Sequence, residues 1–287
     1  MKKLLALTLA LCMVLCLAAC GGSNPVADSD PSAAPAPSSA PSAEPAPSAA
    51  PAEKTDLEYI KEKGEMIIGY TVYEPMNYTD DNGVFTGFDT ELATAVCEKL
   101  GVEPVFQIID WGTKEVELAG KTIDCIWNGM TLDAEREANM NCTQPYVKNA
   151  QVVVMKKGAG YADTASLADK SVCAEIGSAG ESTIQGDDNL SKALYVGKAV
   201  QTDCLMEVKA GTCDAAVLDL TLAKAMIGEG TDYADLEIVD ELAVEYYGVA
   251  FRKGSDIRDE VNKLFDELEA DGTLGTLADK YSLELAD

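Results

Sequence analysis

The stretch IDCIWNGMTLDAERE at residues 123–137 carries most of the information about the fold. Its first five residues form a short, mostly apolar run that predicts a buried strand. Arg136 follows one short helical turn beyond the end of that strand. Ligands in open α/β sheets collect outside the carboxyl ends of strands, where a guanidinium can bind a carboxylate through two parallel hydrogen bonds. The alternative is a surface ion pair between Arg136 and one of the chain's many acids.

Helical and extended patterns alternate before this stretch. Residues 66–70 (MIIGY) and 104–109 (PVFQII) each predict a strand. Between them, apolar residues recur at helical spacing from Asp89, which we predict to be the N-cap, to a stop at Gly101. The order β-α-β predicts parallel strands and therefore an α/β fold.

A second α/β series follows an extended pivot near residues 147–155. Two helices end the chain, and the first has an amphipathic stripe that must pack on another surface. Two α/β units joined by extended segments predict two lobes with a ligand cleft between them. We predict lobe 1 at residues 55–150 and 247–287, with the C-terminal helices packed on it, and lobe 2 at residues 151–246.

The N-terminus predicts export and attachment to a membrane. Two lysines precede an apolar run that ends in Leu17-Ala18-Ala19-Cys20, which resembles the lipobox of bacterial lipoproteins. We therefore predict a signal peptide at residues 1–19 and a lipid-attachment site at Cys20, where two acyl chains would give stable anchoring. Residues 20–54 are rich in Ala, Ser and Pro and predict a disordered linker. An ordinary secretory signal with an incidental cysteine is the alternative.

The composition excludes several classes of function. The 287 residues hold 22 Lys and Arg against 49 Asp and Glu, a formal net charge of −27, and no histidine. Without histidine, no Ser-His-Asp or Cys-His nucleophile and no His-containing metal site can form. The acidic balance argues against nucleic acid as a partner, because binding to its phosphates depends on Lys and Arg. We expect no metal and no cofactor.

Six cysteines lie after Cys20, and none of them forms a CxxC pair. That spacing argues against a zinc or redox site. Several lie in apolar stretches, where cysteine behaves as a small hydrophobe. The sequence therefore leaves open whether the six thiols are free or paired in disulfides.

The stretch at 123–137, followed by Gln144-Pro145-Tyr146, resembles a signature of the extracellular amino-acid-binding proteins that serve ABC importers. These are the polar-amino-acid family of solute-binding proteins, which have the two-lobed type II periplasmic-binding-protein fold. The resemblance implies that Arg136 holds the α-carboxylate of a free amino acid. It also implies that the Gly129 carbonyl and the Thr131 hydroxyl accept hydrogen bonds from the α-ammonium group.

Further segments extend the resemblance across the body of the chain. It implies that Tyr73 stacks on the ligand side chain and that the backbone N–H groups of Ser178 and Ala179 add to the carboxylate site. A helix N-terminus suits an anion, which agrees with the second of these roles. Asp219 would pair with the α-ammonium group, although its position also suits a helix N-cap. Plain packing is the alternative for Tyr73.

Four residues near the predicted cleft depart from the family pattern or have no settled role. Trp127 and Asn128 replace smaller residues, which suggests a cleft floor shaped for a particular side chain. Glu175 stands where a neutral residue is usual and faces either the ligand or solvent. Glu74 is a second acid near the cleft. Arg252 and Arg258, the other two arginines of the chain, are predicted to be surface charges.

The resemblance implies a lipid-anchored receptor on the extracellular or periplasmic side of a membrane. It would act as a monomer, bind a polar, cystine-like or charged amino acid, and deliver it to an ABC permease and its ATPase. The resemblance implies that it is not an enzyme. Two alternatives remain open: a surface sensor or adhesin lipoprotein on the same fold, and a cyclohexadienyl-dehydratase-like enzyme using Glu74 or Glu175 for proton transfer.

Overall fold

The structure of the protein is a computed structural model that describes residues 54–286. The predicted signal peptide, the lipid-attachment site at Cys20 and the linker up to residue 53 lie outside the described residues. Within residues 54–286, no helix combines the length and the apolar character that crossing a bilayer requires.

The described residues form helices and strands in alternation along the chain. The helices are α1 (Asp56–Lys63), α2 (Phe88–Leu100), α3 (Lys114–Ala119), α4 (Ala134–Asn139), α5 (Ala179–Gly186), α6 (Gln201–Ala210), α7 (Leu220–Met226), α8 (Ile257–Ala270) and α9 (Thr273–Tyr281). The strands are β1 (Glu65–Tyr70), β2 (Tyr78–Thr79), β3 (Phe85–Thr86), β4 (Glu103–Ile108), β5 (Cys125–Thr131), β6 (Asn141–Cys142), β7 (Val147–Lys156), β8 (Ser171–Glu175), β9 (Leu194–Lys198), β10 (Ala215–Asp219) and β11 (Leu236–Phe251).

The main sheet has the strand order β4-β1-β5-β11-β7-β10-β8-β9, and β6 pairs with β11. Strand β1 runs parallel to β4 and β5, and β8 runs parallel to β9 and β10. Strands β7 and β11 are antiparallel to each other and join these two parallel groups. The predicted α/β fold with parallel strands is confirmed, and the two antiparallel strands connect its halves.

Strand β11 is much longer than the strand that the sequence pattern predicts at residues 245–252 (EYYGVAFR). It begins at Leu236 and pairs with β7 along its length, with register shifts after Ile238 and after Glu241. Each bulge interrupts the alternation of inward and outward side chains. The sequence pattern therefore predicts only the C-terminal part of the strand, where the residues from Tyr247 to Phe251 are all buried.

The sequence predicts Asp89 as the N-cap of α2, and this prediction is wrong. The helix begins at Phe88 after Gly87, whose φ is 129° and whose missing Cβ would lie 2.2 Å from the carbonyl oxygen of Met76. A glycine is required there. The Asp89 carboxylate is instead buried and accepts hydrogen bonds from the Gly129 N–H (2.6 Å) and the Tyr146 hydroxyl (2.8 Å). Asp89 therefore holds the end of β5 in place.

The C-terminal helices pack against the part of the sheet that contains β5. Helices α8 and α9 contact α2, and the ring of Phe265 in α8 meets Trp127 edge to face, with 5.7 Å between ring centroids. Trp127 is fully buried in this core. The prediction that Trp127 forms part of a cleft floor is therefore wrong, since its side chain lies on the opposite face of β5 from that of Asn128.

All six cysteines among the described residues are free and buried; they are Cys97, Cys125, Cys142, Cys173, Cys204 and Cys213. Burial raises the pKa of the Cys97 thiol to about 12, with a further contribution from the charge of Glu103. The thiols therefore behave as small apolar side chains in the core.

The sequence predicts that Arg252 is a surface charge, and this prediction is wrong. The Arg252 guanidinium connects α1 to the sheet. It donates to Asp56 (3.0 Å) and to the Ile123 carbonyl (2.9 Å), and it lies 3.5 Å from Asp124. Lys63 completes the cluster with a 2.6 Å bond to Asp124, whose side chain is 2% exposed. Because these carboxylates are largely shielded from water, each of them needs a cationic partner to remain ionised at low cost.

Arg252→Met should lower the free energy of unfolding by about 3 kcal/mol, because it leaves Asp124 with one cation and Asp56 with none from this cluster. Lys263→Met is the matched control, since it breaks an exposed pair with Glu260 on α8 and should cost about 0.5 kcal/mol or less. Urea titrations of both variants measure the difference. Equal costs would show that the Arg252 cluster contributes no more than an exposed ion pair.

Candidate functional site

All eight predicted ligand-binding residues line one buried cavity. They share its wall with Trp111, Glu175 and Gln201, and they are Tyr73, Asn128, Gly129, Thr131, Arg136, Ser178, Ala179 and Asp219. The cavity is narrow, with a volume of about 10 Å³ open to the centre of a water molecule, roughly the space of one water. The walls must therefore separate before an amino acid can enter.

The end of β5 carries Gly129 in a left-handed conformation. Its φ is 56°, and an added Cβ would lie 2.7 Å from the ring of Tyr73. The pairing of β5 with β11 is irregular here, because the register shifts between Gly248 and Ala250. Only glycine allows both this backbone conformation and the close approach of the tyrosine ring. The backbone at Gly129 thus leaves the regular ladder where the cavity begins.

Arg136 lies in the first turn of α4 and is almost fully buried. Its NH1 group donates to the Asp133 carboxylate (2.7 Å) and to the Thr131 carbonyl (3.2 Å), and NH2 donates to the Gly177 carbonyl (3.2 Å). The bond to Gly177 joins the segment after β5 to the segment after β8. Arg136 is therefore a cavity cation, which is the position that the sequence predicts, and not a surface charge.

Lys114 is a second buried cation, which the sequence analysis did not identify. Its ammonium group donates to the carbonyls of Gly177 (2.9 Å) and Trp111 (3.1 Å) and lies 4.7 Å from the centroid of the Trp111 ring. Burial, followed by the charge of Arg136, lowers the Lys114 pKa to about 8. Lys114 and Arg136 thus both donate to the Gly177 carbonyl, and these bonds connect the segments that follow β4 and β5 to the segment that follows β8.

The turn at Ser178 and Ala179 differs in detail from the prediction. Ser178 is the N-cap of α5, and its hydroxyl accepts from the Glu181 N–H. The Ser178 N–H donates to the Glu175 carbonyl (3.2 Å), so it is already engaged. Ala179 is the first residue of the helix, where the N–H has no partner within the helix. Of the two predicted donors, Ala179 is the one whose N–H is not used by the helix itself.

Asp219 ends β10 at the N-cap position of α7, but its side chain caps no helix N–H. The carboxylate instead accepts from the amides of Gln201 (2.5 Å), Asn149 (3.1 Å) and Gln151. Burial raises the Asp219 pKa above its ordinary value, against the effect of the amide bonds. These contacts favour the cavity role of Asp219 over the N-cap.

Glu175, at the end of β8, faces the cavity and not solvent. Its side chain is almost completely buried, and one carboxylate oxygen has no hydrogen-bond partner among the described residues. Burial, followed by the charge of Asp219, raises the Glu175 pKa to about 8. Glu74, the other acid that we considered, lies away from this site in a separate groove of about 570 Å³.

Tyr73 and Asn128 shape the wall of the cavity. The Tyr73 hydroxyl lies 2.5 Å from the Tyr247 hydroxyl and also bonds to Thr221. Residues of β11 and α7 therefore hold the ring in place. The Asn128 amide accepts from the backbone N–H and hydroxyl of Thr71 and donates to the Thr71 carbonyl and to Asn77. All of its hydrogen-bonding capacity is used, so Asn128 fixes the loop that carries Tyr73.

Several polar residues of the site were missed by sequence reasoning. Asn149 and Gln151 lie on β7, and Glu245 lies opposite Asn149 on β11. The signal was present in the pivot segment VKNAQVVVM, where two amides occur two residues apart within a mostly apolar strand. Residues at that spacing face the same side of a sheet. Lys114 and Gln201 stand in no local pattern that would reveal their role.

The charges around the cavity do not balance. Arg136 is the cation that lines it, whereas Glu175 and Asp219 are two acids that line it. Outside the lining, Lys114 adds one cation, whereas Glu245 and Asp133, which is paired with Arg136, add two acids. Among the lining residues themselves, the excess is one carboxyl group. The site can therefore hold a molecule with both charges, and it has one acid more than a zwitterion needs.

Comparison with known proteins identifies the same architecture. Residues 66–284 match the bacterial extracellular solute-binding proteins, family 3. The arginine-binding extracellular protein ArtP of Bacillus subtilis is 27% identical over 98% of this chain and 98% of its own. The L-cystine-binding protein TcyJ of Escherichia coli is 28% identical over 80% of this chain and 87% of its own.

A solved structure extends the match to three dimensions. It is an ABC uptake transporter substrate-binding protein from Streptococcus pneumoniae with bound histidine. Its TM-score is 0.72 at 27% identity, and the match covers 79% of this chain and 96% of that chain. The match confirms the predicted type II periplasmic-binding-protein fold.

The buried acids predict an unusual dependence of stability on pH. Burial raises the pKa of Asp89 to about 7, of Glu175 to about 8 and of Glu245 to about 7. The folded protein then holds protons that the unfolded chain has lost, so stability falls as pH rises from about 5 to about 8. Thermal unfolding of the ligand-free protein should show its melting temperature falling across that range.

Glu175→Gln should remove part of this slope and raise the free energy of unfolding at pH 8 by about 1–3 kcal/mol, because it removes an unpartnered buried charge. Glu229→Gln, at an exposed position, is the control. A variant with the slope and stability of the parent protein would mean that Glu175 does not titrate in this range.

Proposed function

The chain belongs to the bacterial extracellular solute-binding proteins of family 3, and from this membership we propose that it is a receptor for one free amino acid. It delivers that amino acid to an ABC permease and its ATPase. The observation that carries the proposal is the placement of Arg136 and Asp219, of opposite charge, on the wall of one buried cavity.

The α-carboxylate of the ligand binds to Arg136. In the structure, the guanidinium donates to two carbonyls and to Asp133. A carboxylate forms stronger, charge-assisted bonds to a guanidinium than a carbonyl does. The ligand therefore takes the place of the Gly177 and Thr131 carbonyls, and the N–H of Ala179 adds a further donor.

The α-ammonium group binds to Asp219, the Thr131 hydroxyl and the Gly129 carbonyl. These acceptors lie on β10 and at the end of β5, which belong to the two parallel groups of the sheet. Because the ligand contacts both groups, it stabilises the closed form relative to the open form. Lobe boundaries at 150/151 and 246/247 fit this proposal, since they fall within the connecting strands β7 and β11.

The ligand side chain extends to Glu175 and carries a cation or an N–H donor. Glu175 has a buried oxygen without a partner, and an unpartnered buried acid is costly. The lining residues include one carboxyl group more than cations, and a ligand of net charge +1 compensates it by favouring the ionised form of Glu175. Arginine fits this chemistry, and ArtP is an arginine-binding relative. A zwitterionic side chain is the next candidate: the second ammonium group of cystine would lie at Glu175 and its second carboxylate near Lys114.

Lipid attachment at Cys20 and the linker to residue 54 complete the proposal. The tether holds a monomeric receptor at the outer side of the membrane while leaving its orientation free. A sensor or adhesin lipoprotein shares the anchor but needs no permease. An enzyme of the dehydratase type requires turnover, and incubation of the purified protein with prephenate followed by chromatography tests for it.

Thermal shifts with L-arginine, L-histidine and L-cystine identify the ligand, because saturating ligand raises the melting temperature. Arg136→Ala should weaken binding of the effective amino acid by about 3 kcal/mol or more, since its carboxylate loses a buried charged partner. Lys114 still donates to Gly177 in this variant, so the fold should be retained, which circular dichroism checks. Arg258→Ala is the control. Parental affinity of Arg136→Ala in calorimetry would overturn the assignment.

Asp219→Asn keeps the size of the side chain and removes its charge. Binding should weaken by about 2–5 kcal/mol, because the α-ammonium group then faces a neutral amide in a buried site. Calorimetry with the same amino acid measures the loss. If the variant binds as tightly as the parent, the ammonium group is held elsewhere.

A further inference from the structure

Glu245 occupies a position behind the ammonium site that the proposed ligand contacts do not include. One oxygen of its carboxylate accepts three hydrogen bonds: from the Thr131 hydroxyl (2.9 Å), from the Asn149 amide (2.6 Å) and from the Gln151 amide (2.9 Å). Glu245 does not line the cavity, whereas Thr131 does. Glu245 therefore acts on a ligand through its hydrogen-bond partners and through its charge, without lining the cavity.

The first consequence concerns the direction in which Thr131 can bond. A hydroxyl has one hydrogen and two lone pairs. Because the hydrogen of Thr131 points to Glu245, only lone pairs remain for the cavity. Thr131 is thereby fixed as an acceptor, which is what an ammonium group requires. Without Glu245, the hydroxyl would be free to turn and present its hydrogen to the ligand.

The second consequence concerns Asp219. The amides of Asn149 and Gln151 each donate to both Glu245 and Asp219, so these two carboxylates share their donors. The register explains the arrangement: Glu245 lies opposite Asn149, and Gln151 lies opposite Asp219, with β7 between the two acids. A positive group near Asp219 is therefore attracted by both carboxylates.

We propose that Glu245 is a positioning residue for the ligand ammonium group, which fixes Thr131 as an acceptor and adds its charge to that of Asp219. The proposal rests on the proposed function, because it assumes that an amino acid occupies the cavity. It adds a residue on a connecting strand to the binding chemistry. It also makes affinity depend on the protonation of a carboxylate pair.

The surroundings of Glu245 give the direction of that pH dependence. The hydroxyls of Tyr73 and Tyr247 face the pair, and Arg136, Lys114 and Glu175 lie around the same cavity. Burial, followed by the charge of Asp219, raises the Glu245 pKa to about 7. An ammonium group favours the ionised pair, so affinity should rise with pH through about 7 and fall below it, and binding should release protons.

The test compares Glu245→Gln with the parent protein and with Glu241→Gln, an exposed acid on the same strand. The probe is whichever of L-arginine, L-histidine and L-cystine raises the parent melting temperature most. Calorimetry from pH 5.5 to pH 8.5, in two buffers of different ionisation enthalpy, measures affinity and proton release. At pH 8.5, Glu245→Gln should bind about tenfold more weakly, the equivalent of about 1.4 kcal/mol. Its affinity should change less with pH, whereas Glu241→Gln should match the parent.

A double-mutant cycle with Thr131→Val separates positioning from a structural effect. If Glu245 acts partly through Thr131, the two substitutions together should cost clearly less than the sum of their separate costs. Additive costs, or a parental pH profile in Glu245→Gln, would overturn the proposal while leaving the receptor function intact. A parent protein that binds none of the three amino acids would overturn the proposed function, and this inference with it.

Discussion

Two amide side chains on one strand hold together the acids on which the site depends. Asn149 and Gln151 of β7 donate to Asp219 on one neighbouring strand and to Glu245 on the other. Buried carboxylates this close repel each other unless donors or protons compensate. The amides supply those donors, and they can do so because β7 is paired with β10 and β11 along its length. In the proposed function, the connecting strands are therefore part of the binding chemistry as well as the link between the halves of the fold.

Local sequence patterns were enough to predict the parallel strands of the fold and the position of Arg136, which lies within one contiguous motif at residues 123–137. The apolar run at 123–127 and the spacing of Arg136 predicted a strand end with a cation beside it, and Arg136 lies at the cavity. The prediction failed for Asp89. Aspartate is common at helix N-caps, but the Asp89 carboxylate accepts hydrogen bonds from the Gly129 N–H and the Tyr146 hydroxyl. A side chain that bonds across the fold has no signature in its neighbours along the chain.

The same reason explains Lys114, Glu245 and Arg252. Lys114 is buried, Glu245 and Arg252 are partly buried, and each has its partner in a distant part of the sequence: Gly177 for Lys114, Asn149 for Glu245 and Asp56 for Arg252. Charged residues are usually exposed, so composition alone assigns them to the surface. The antiparallel pairing of β11 with β5 places Tyr247 opposite Thr131, and Glu245, two residues before Tyr247, therefore reaches the Thr131 hydroxyl.

The charge of the whole chain and the charge of the cavity act on a ligand at different stages. From residue 55 onward the sequence holds 19 Lys and Arg against 45 Asp and Glu, a difference of −26. That field attracts cations from a distance and speeds their encounter, and salt screens it. Inside the cavity the excess is one carboxyl group, at distances where salt has little effect. A cationic amino acid would gain at both stages, whereas a neutral zwitterion would gain only from the opposed charges of Arg136 and Asp219. The dependence of the association and dissociation rates on ionic strength would therefore separate the two kinds of ligand, since only the association rate of a cation should fall steeply with salt.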